Sequence, residues 1–431
     1  MVGMVFLVFF GFLALAVPIA VSMVMGAWTP IILNAPGISG VGYLIRNAFS
    51  GADTTPIIAV PLFIFAGVIM AEGGISRKLF NVFAYLAGKF TGGLPCAVIL
   101  TCLFYGAISG SGPATTAAVG AMAIPFLTDL GYEKKFVAAI VAVSGGLGVI
   151  IPPSIPFVLY SLATGVSVSQ LFLGGVLPGI FIGVCLMAYA VWYCRTKGED
   201  KERITQKVDE LHKLGFFRIF KDSFWALLSP VIVLGGIYSG YFTPTEAACV
   251  SVYYSLIVSI FIYKSVPLGA VPRFLKQSVK TYAPLCFTIA FAIAFGRMLA
   301  LLQAPALISN FILGTFHSKV SVLFIVIIIF YFLGMVMDIG PAVVIMSPIL
   351  LPIVSAMGVD PVHFGVIMVV NLSIGLATPP FGLDLFVAGT LSGLPPMAVA
   401  RKALPFIVAF TIALFVIAYV PAISLLLLGR A

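Results

Sequence analysis

The run "FYGAISGSGPATTAAVGAMAIP", Phe104–Pro125, places four glycines, two serines, two threonines and two prolines among residues that are otherwise almost all Leu, Ile, Val, Phe and Ala. The apolar stretch around it, Leu94 to Leu130, is too long for one membrane span and is interrupted at Ser109–Pro113. Two half-helices of about 15 residues each rise about 22 Å, less than a hydrocarbon core about 30 Å thick. Such a segment can enter, turn at "SGSGP" and leave by the same side. The N–H and C=O groups freed at the turn must then be buried in protein or line a polar cavity.

The rest of the chain supports a membrane setting. Of 431 residues, 61% are hydrophobic and 9% charged, with a mean hydropathy of +1.20. No soluble domain of this size could hide so much apolar surface. Many charge-free stretches are long enough for a spanning helix, and the alternation of a membrane barrel is missing, so the expected class is an all-α polytopic membrane protein. The first residues, "MVGMVFLVFFGFLALAVPIAVSM", read as a retained span, lacking a basic leader and a small-residue cleavage site. Six cysteines (Cys96, Cys102, Cys185, Cys194, Cys249, Cys286) are scattered and read as small packing residues. The net charge of +9 does not imply nucleic acid, because the basic residues sit in short loops.

Charge is concentrated in one place. Arg195 to Asp222 holds 14 of the 37 Lys, Arg, Asp and Glu residues and reads as a cytoplasmic linker with an amphipathic helix over "VDELHKLGFFRIF". It divides two related halves. "GAISGSGPATTAAVGAMAIPFLTDLGYE" from Gly106 resembles "GMVMDIGPAVVIMSPILLPIVSAMGVD" from Gly334, and "SGGLGVIIPPSIPF" from Ser144 matches "NLSIGLATPPFGL" from Asn371. "TPIIAVPLFIFAGVIM" from Thr55 loosely matches "APLCFTIAFAIAFGRML" from Ala283, and the offset stays near 227 residues throughout. One offset over three blocks is hard to obtain by chance.

The expected organisation is therefore a first repeat (1–194), the linker (195–222) and a second repeat (223–431). The first has a re-entrant hairpin near 94–130 and a helix broken by Pro-Pro near 135–165; the second has these near 319–357 and 361–390. Early spans are expected at about 3–25 and 27–50. Paired interrupted helices in two related halves are the sequence pointer to a transporter binding site. Freed carbonyls and hydroxyls suit a small hard cation such as Na⁺, and helix N-termini suit a carboxylate.

Ionisable residues point the same way. Asp338 lies beside the second Gly-Pro turn, where a carboxylate is costly unless paired or ligating a cation. Arg297 is an intramembrane guanidinium suited to a substrate carboxylate, or else a snorkelling side chain. Asp384 and Glu246 are further candidates, Glu246 reading better as a helix cap three residues after Thr243. His363, at a helix start, reads as packing.

Seven stretches together resemble the large membrane subunit of the tripartite ATP-independent periplasmic (TRAP) transporters: "PLFIFAGVIM" with "GGIS" (61–76), "GAISGSGPATTAAVGAMAIP" (106–125), "IIPPSIP" (150–156), "LFLGGVLPG" (171–179), "YFTPTEAA" (241–248), "MDIGP" (337–341) and "GLATPPFGLDLFVAG" (375–389). The resemblance covers nearly the full chain. It implies two inverted-topology repeats and an elevator in which a transport domain carrying both hairpins slides against a scaffold. It implies a secondary transporter of the bacterial inner membrane that imports an organic acid with Na⁺ as coupling ion and no cofactor. The implied partners are a periplasmic substrate-binding protein, a small four-helix membrane subunit not fused to this chain, and lipids.

By the same resemblance, Ser109, Ser111, Gly145, Val149 and Pro152 would form a first sodium site. Gly334, Asp338, Gly375, Thr378 and Pro379 would form a second, chemically distinct one, with Asp338 where the first hairpin has hydroxyls. Arg297, Ser109, Gly112, Thr115, Pro153 and Pro380 would meet the substrate. Sialic acid and C4-dicarboxylates are both family substrates, and a single intramembrane arginine favours a monocarboxylate such as sialic acid.

Two other classes fit less well. An intramembrane serine hydrolase lacks a partner: His212 is in the linker, neither His317 nor His363 lies in an evident break, and "GAISG" lacks the Gly-x-Ser spacing of a nucleophile turn. A channel could use duplicated broken helices, but a two-site cation cage around an arginine argues for coupled transport. No G-x-x-x-x-G-K-[ST] loop is present, so ATP hydrolysis and enzymatic activity are not expected.

Overall fold

The computed structural model describes residues 1–35, 40–316 and 318–430; His317 lies outside them. The described chain is helical throughout, with eight segments long and apolar enough to cross a membrane. At the amino end come α1 (Val2–Ala14), α2 (Ile19–Ile32) and α3 (Gly40–Ala52). The two early spans expected near 3–25 and 27–50 are therefore three shorter helices. The first break falls at Leu15–Pro18, where Ala16 takes φ +59° and Pro18 cannot donate to the preceding turn.

The next helices are α4 (Ala59–Glu72), the amphipathic α5 (Ile75–Ala87), α6 (Gly93–Ser109), α7 (Gly112–Asp129), α8 (Lys134–Gly145), α9 (Ile155–Thr164) and α10 (Val168–Lys197). The linker forms α11 (Lys201–Lys213). The second half contains α12 (Phe216–Tyr238), α13 (Pro244–Leu256), α14 (Val271–Leu301), α15 (Ala304–Thr315), α16 (Lys319–Val336), α17 (Ile339–Ala356), α18 (Pro361–Gly375), α19 (Leu383–Ser392), α20 (Pro396–Tyr419) and α21 (Ala422–Leu425). The element order places a pair of helices before a helix, break and helix in two places: α6–α7 before α8 and α9, and α16–α17 before α18 and α19. The arms α6 and α7 have 17 and 18 residues, longer than expected. They rise only about 26 Å, still short of a hydrocarbon core about 30 Å thick.

The halves interlock. α9, the second part of the first broken helix, packs on α17 of the other half's hairpin. α19, its counterpart, packs on α7 and α8. Lipid tails are as apolar as leucine, so close backbone approach drives this packing. On α10 a Cβ at Gly175 would stand 2.6 Å from Phe157 Cε2, and one at Gly183 would stand 2.7 Å from Leu103 Cδ1.

The amphipathic helix expected over "VDELHKLGFFRIF" is divided. α11 ends at Lys213, and Gly215 at φ +78° turns the chain into α12. Glu199 fastens the linker to the base of the first hairpin. Its carboxylate accepts from Gly92 N at 3.1 Å and from the Tyr132 hydroxyl at 2.5 Å. Burial first, and Glu199 second, push the Tyr132 hydroxyl pKa well above its ordinary value.

Candidate functional site

The first hairpin tip is built from backbone geometry. Gly110 adopts φ +61°, which an L side chain seldom does, and Ser111 is extended before Pro113 opens α7. Hydroxyls fill the turn. Ser109 Oγ lies 2.9 Å from Thr115 Oγ1, and Thr115 Oγ1 donates to the Ser111 carbonyl at 2.8 Å. The tip meets the first helix break. A Cβ on Gly106 would stand 2.5 Å from Gly148 Cα, a Cβ on Gly110 2.8 Å from the Pro153 carbonyl oxygen, and Ile155 N donates to the Gly110 carbonyl at 3.4 Å. Ser109, Ser111, Gly112, Thr115, Val149, Pro152 and Pro153 thus belong to two facing segments. Gly145 lies one turn deeper, against Thr116 and Asp384.

The second tip differs in chemistry. Met337 is extended, and Asp338 caps α17 by accepting from Ile339 N at 2.9 Å through Oδ1. Asp338 is nevertheless accessible. A Cβ on Gly334 would stand 3.3 Å from Gly375 Cα, so the hairpin arm and the broken helix touch through glycines. Thr378 Oγ1 donates to the Ile374 carbonyl at 2.7 Å, and Pro379 and Pro380 follow it. The Pro152–Pro153 and Pro379–Pro380 bonds are both cis.

Arg297 is placed elsewhere. It sits on α14 with NH1 2.6 Å from Asn47 Oδ1 and 3.4 Å from Ser50 Oγ, both on α3. Its recorded partners are therefore on α3 and not on either hairpin tip. Glu246 completes a capping box with Thr243, as their spacing predicts. His363 is buried, with Nε2 3.2 Å from the Ala418 carbonyl oxygen.

Several polar residues were not singled out by the sequence reading. Ser154 caps α9 and also donates to the Val149 carbonyl, closing the first break on itself. Its place directly after Pro-Pro and before Ile-Pro was the available signal. Asn371 Nδ2 donates to the Ile327 carbonyl at 2.7 Å, tying the second broken helix to α16. Tyr105 and Asn47 reach partners distant in sequence, and no local pattern marks them. A cavity of about 860 Å³ runs beside α7 and is lined by Ala118, Met122, Arg77 and the linker residues Lys207 and Glu210. It lies on the linker side of the hairpin rather than at its tip.

Residues 6–423 match the family described as "Tripartite ATP-independent periplasmic transporter, DctM component". The chain belongs to this family. Among TRAP relatives, the isethionate TRAP transporter permease protein of Oleidesulfovibrio alaskensis is 41% identical over 97% of this chain; the chain spans 65% of that longer protein. The C4-dicarboxylate TRAP large permease of Pseudomonas aeruginosa is 40% identical over 93% of this chain and 92% of its own length. The sialic acid TRAP large permease of Vibrio cholerae is 32% identical over 99% and 96%. The YdaH transporter of Alcanivorax borkumensis shares the fold, with a TM-score of 0.62 at 14% identity over 90% of this chain and 88% of that one. This TRAP subunit is a multi-pass protein of the bacterial inner membrane.

Proposed function

We propose that the chain is the membrane-transport subunit of a sodium-coupled importer of small organic anions. It would receive its substrate from a periplasmic binding protein and work with a small membrane subunit. The observation that carries this reading is the pairing of each hairpin tip with a helix break: Ser109–Gly112 against Gly148–Ile155, and Gly334 against Gly375. Two such junctions supply carbonyls, hydroxyls and one carboxylate without a nearby basic side chain among the residues that form them, which is a setting for Na⁺. The elevator follows as a second part of the reading. The hairpins and broken helices form one interlocked body, and α4 and α14 pack along its flank.

The substrate is an organic anion of the carboxylate or sulfonate class. Sialic acid is the sequence-favoured member. Its support was a single intramembrane arginine, and the hydrogen bonds of Arg297 to α3 weaken that support. The names of the relatives span isethionate, C4-dicarboxylates and sialic acid. The test is uptake of labelled sialic acid, isethionate and succinate into proteoliposomes holding this chain and its small subunit. Each is assayed with and without the cognate binding protein. Uptake of one anion only in the presence of the binding protein supports the reading. Uptake that ignores the binding protein contradicts the tripartite part of it.

A further inference from the structure

The face that α5 turns toward α7 carries polar groups that neither hairpin tip uses. Ser76, Arg77, Phe80 and Asn81 all line the cavity of about 860 Å³ beside α7. Their spacing, with Phe80 and Asn81 four residues after Ser76 and Arg77, is that of one face of a helix. Ser76 is buried, Asn81 half-buried and Arg77 exposed. None of these three side chains has a hydrogen bond or an ion pair among the described residues. The charges around them are already matched. Glu72 pairs with Arg273 at 3.2 Å, Lys207 pairs with Glu210 at 2.6 Å in the cavity wall, and Lys78 lies over the Tyr263 ring. The Arg77 guanidinium is thus an unmatched positive charge, flanked by a free hydroxyl and a free amide.

The walls facing these groups are apolar. On α7 they are Ala118, Ala121, Met122 and Pro125, one stripe of that helix, and on α11 they are Leu211 and Leu214. Ala118 lies six residues beyond Gly112 of the first tip, about 9 Å along the helix axis. A mostly apolar concavity with a few convergent polar groups, of about 300–1,000 Å³, is the usual form of a small-molecule site. A guanidinium without a protein carboxylate grips a carboxylate or sulfonate through two parallel N–H bonds. A lone arginine on an amphipathic helix ordinarily snorkels to the membrane surface. Arg77 instead shares its cavity with two further free polar side chains and with the bare flank of a hairpin arm. That combination suits an anion with a carbon body, for which the apolar walls have a use that they would not have for inorganic phosphate.

We propose that Arg77, with Asn81 and Ser76, binds the transported organic anion in this cavity, at a second station between the first hairpin's tip and the linker side of the protein. The identity of the occupant rests on the anion-import reading above. The guanidinium takes the carboxylate or sulfonate, Asn81 Nδ2 and Ser76 Oγ donate to its remaining oxygens, and Phe80 and Met122 cover the carbon body. One positive charge in a water-filled cavity is screened by salt, so the anion is held weakly and released readily. A phospholipid headgroup would offer the same guanidinium a phosphate, and the experiment separates the two sources.

The test places a reporter thiol in the cavity: Ala121→Cys in the full chain, in phosphatidylcholine nanodiscs. It is modified with an anionic (sulfonatoethyl) or a cationic (trimethylammonioethyl) methanethiosulfonate. The native cysteines do not line the cavity, and the parent chain gives their background. Adding Arg77→Gln should lower the ratio of anionic to cationic modification rates about tenfold, and Arg77→Lys should keep it. Isethionate, succinate or sialic acid at millimolar concentration should at least halve the rate with Arg77 and leave it unchanged with Arg77→Gln. The protecting anion should be the one that the complete system imports. An unchanged ratio, protection by none of the three, or equal protection by inorganic phosphate overturns the site. Protection that needs phosphatidylglycerol in the nanodisc, and no soluble anion, makes a lipid headgroup the occupant and overturns the proposal. The labelling uses neither Na⁺ nor binding protein, so these results leave the importer reading standing. Absence of uptake for every anion in the proteoliposome assay overturns that reading instead.

Discussion

The Tyr105 hydroxyl donates to the Gly67 carbonyl oxygen across 3.1 Å, joining the first hairpin to α4. A Cβ on Gly67 would stand 3.3 Å from Ser109 Cα, so α4 also lies against the hairpin tip. Tyr105→Phe removes one buried hydrogen bond, while the Gly67 carbonyl keeps its bond within α4, a loss of about 1 kcal/mol. Thermal unfolding in detergent should show a modest decrease in melting temperature. In the elevator reading this contact must break in each cycle, so the variant should also alter the uptake rate. Wild-type melting and uptake together would make the contact incidental.

The glycines of the first tip have little room. Gly110→Val would place a β-branched residue at φ +61°, costing about 1–2 kcal/mol in backbone strain, and would push a Cβ to 2.8 Å from the Pro153 carbonyl oxygen. Gly112→Val would crowd Leu376 and Asp384. Both variants should insert into the membrane and fail to take up substrate. Uptake near wild type would show that the tip is only a kink.

Asp338 keeps one carboxylate oxygen beyond its cap to Ile339. Asp338→Asn retains the cap and removes the charge. The Na⁺ concentration for half-maximal uptake should rise about tenfold, equivalent to about 1.4 kcal/mol. An unchanged Na⁺ dependence would exclude Asp338 from a cation site.

Arg297→Ala should reduce uptake while leaving the protein folded, and Asn47→Ala, which loosens the guanidinium's orientation, should reduce it less. Size-exclusion profiles separate this from misfolding. Full uptake by Arg297→Ala would mean that the arginine only fastens α14 to α3.

Glu133 joins the α7–α8 turn to α20 through Lys402 at 2.6 Å and to α10 through Tyr193 at 2.8 Å. Partial burial raises its pKa, and the hydrogen bonds from Lys402 and Tyr193 outweigh that and hold it below the ordinary value. A carboxylate lowered in this way stabilises the fold above its unfolded-state pKa, about 4.3, and loses that contribution as pH falls through the lower folded value. Both side chains are partly exposed, so the effect is below about 1 kcal/mol. The melting difference between wild type and Glu133→Gln should be largest near pH 7 and shrink under acid. A constant difference would assign it to packing.

How much was legible follows from how local each signal is. Gly112–Pro113 and Gly340–Pro341 mark breaks because a missing donor and a missing Cβ act on the backbone whatever surrounds them. The helical class and the places of the breaks were readable for that reason. The division of the first two spans was not, because Pro18 sits in an unbroken apolar run where periodicity carries no information. The partners of Arg297 were also hidden: Asn47 and Ser50 are about 250 residues away in sequence. Asp384 could be noted as a costly intramembrane acid. Its meeting with Thr116 and Gly145 depends on α19 crossing onto the other repeat's hairpin, which only the fold reveals.

The central claim is that the paired tips and breaks couple a Na⁺ gradient to anion import. The most direct measurement is accumulation of the identified anion in proteoliposomes carrying the complete system, with an inward Na⁺ gradient either maintained or collapsed by a Na⁺ ionophore. Coupling predicts accumulation above the outside concentration only while the gradient persists. Equal inside and outside concentrations under both conditions would contradict it.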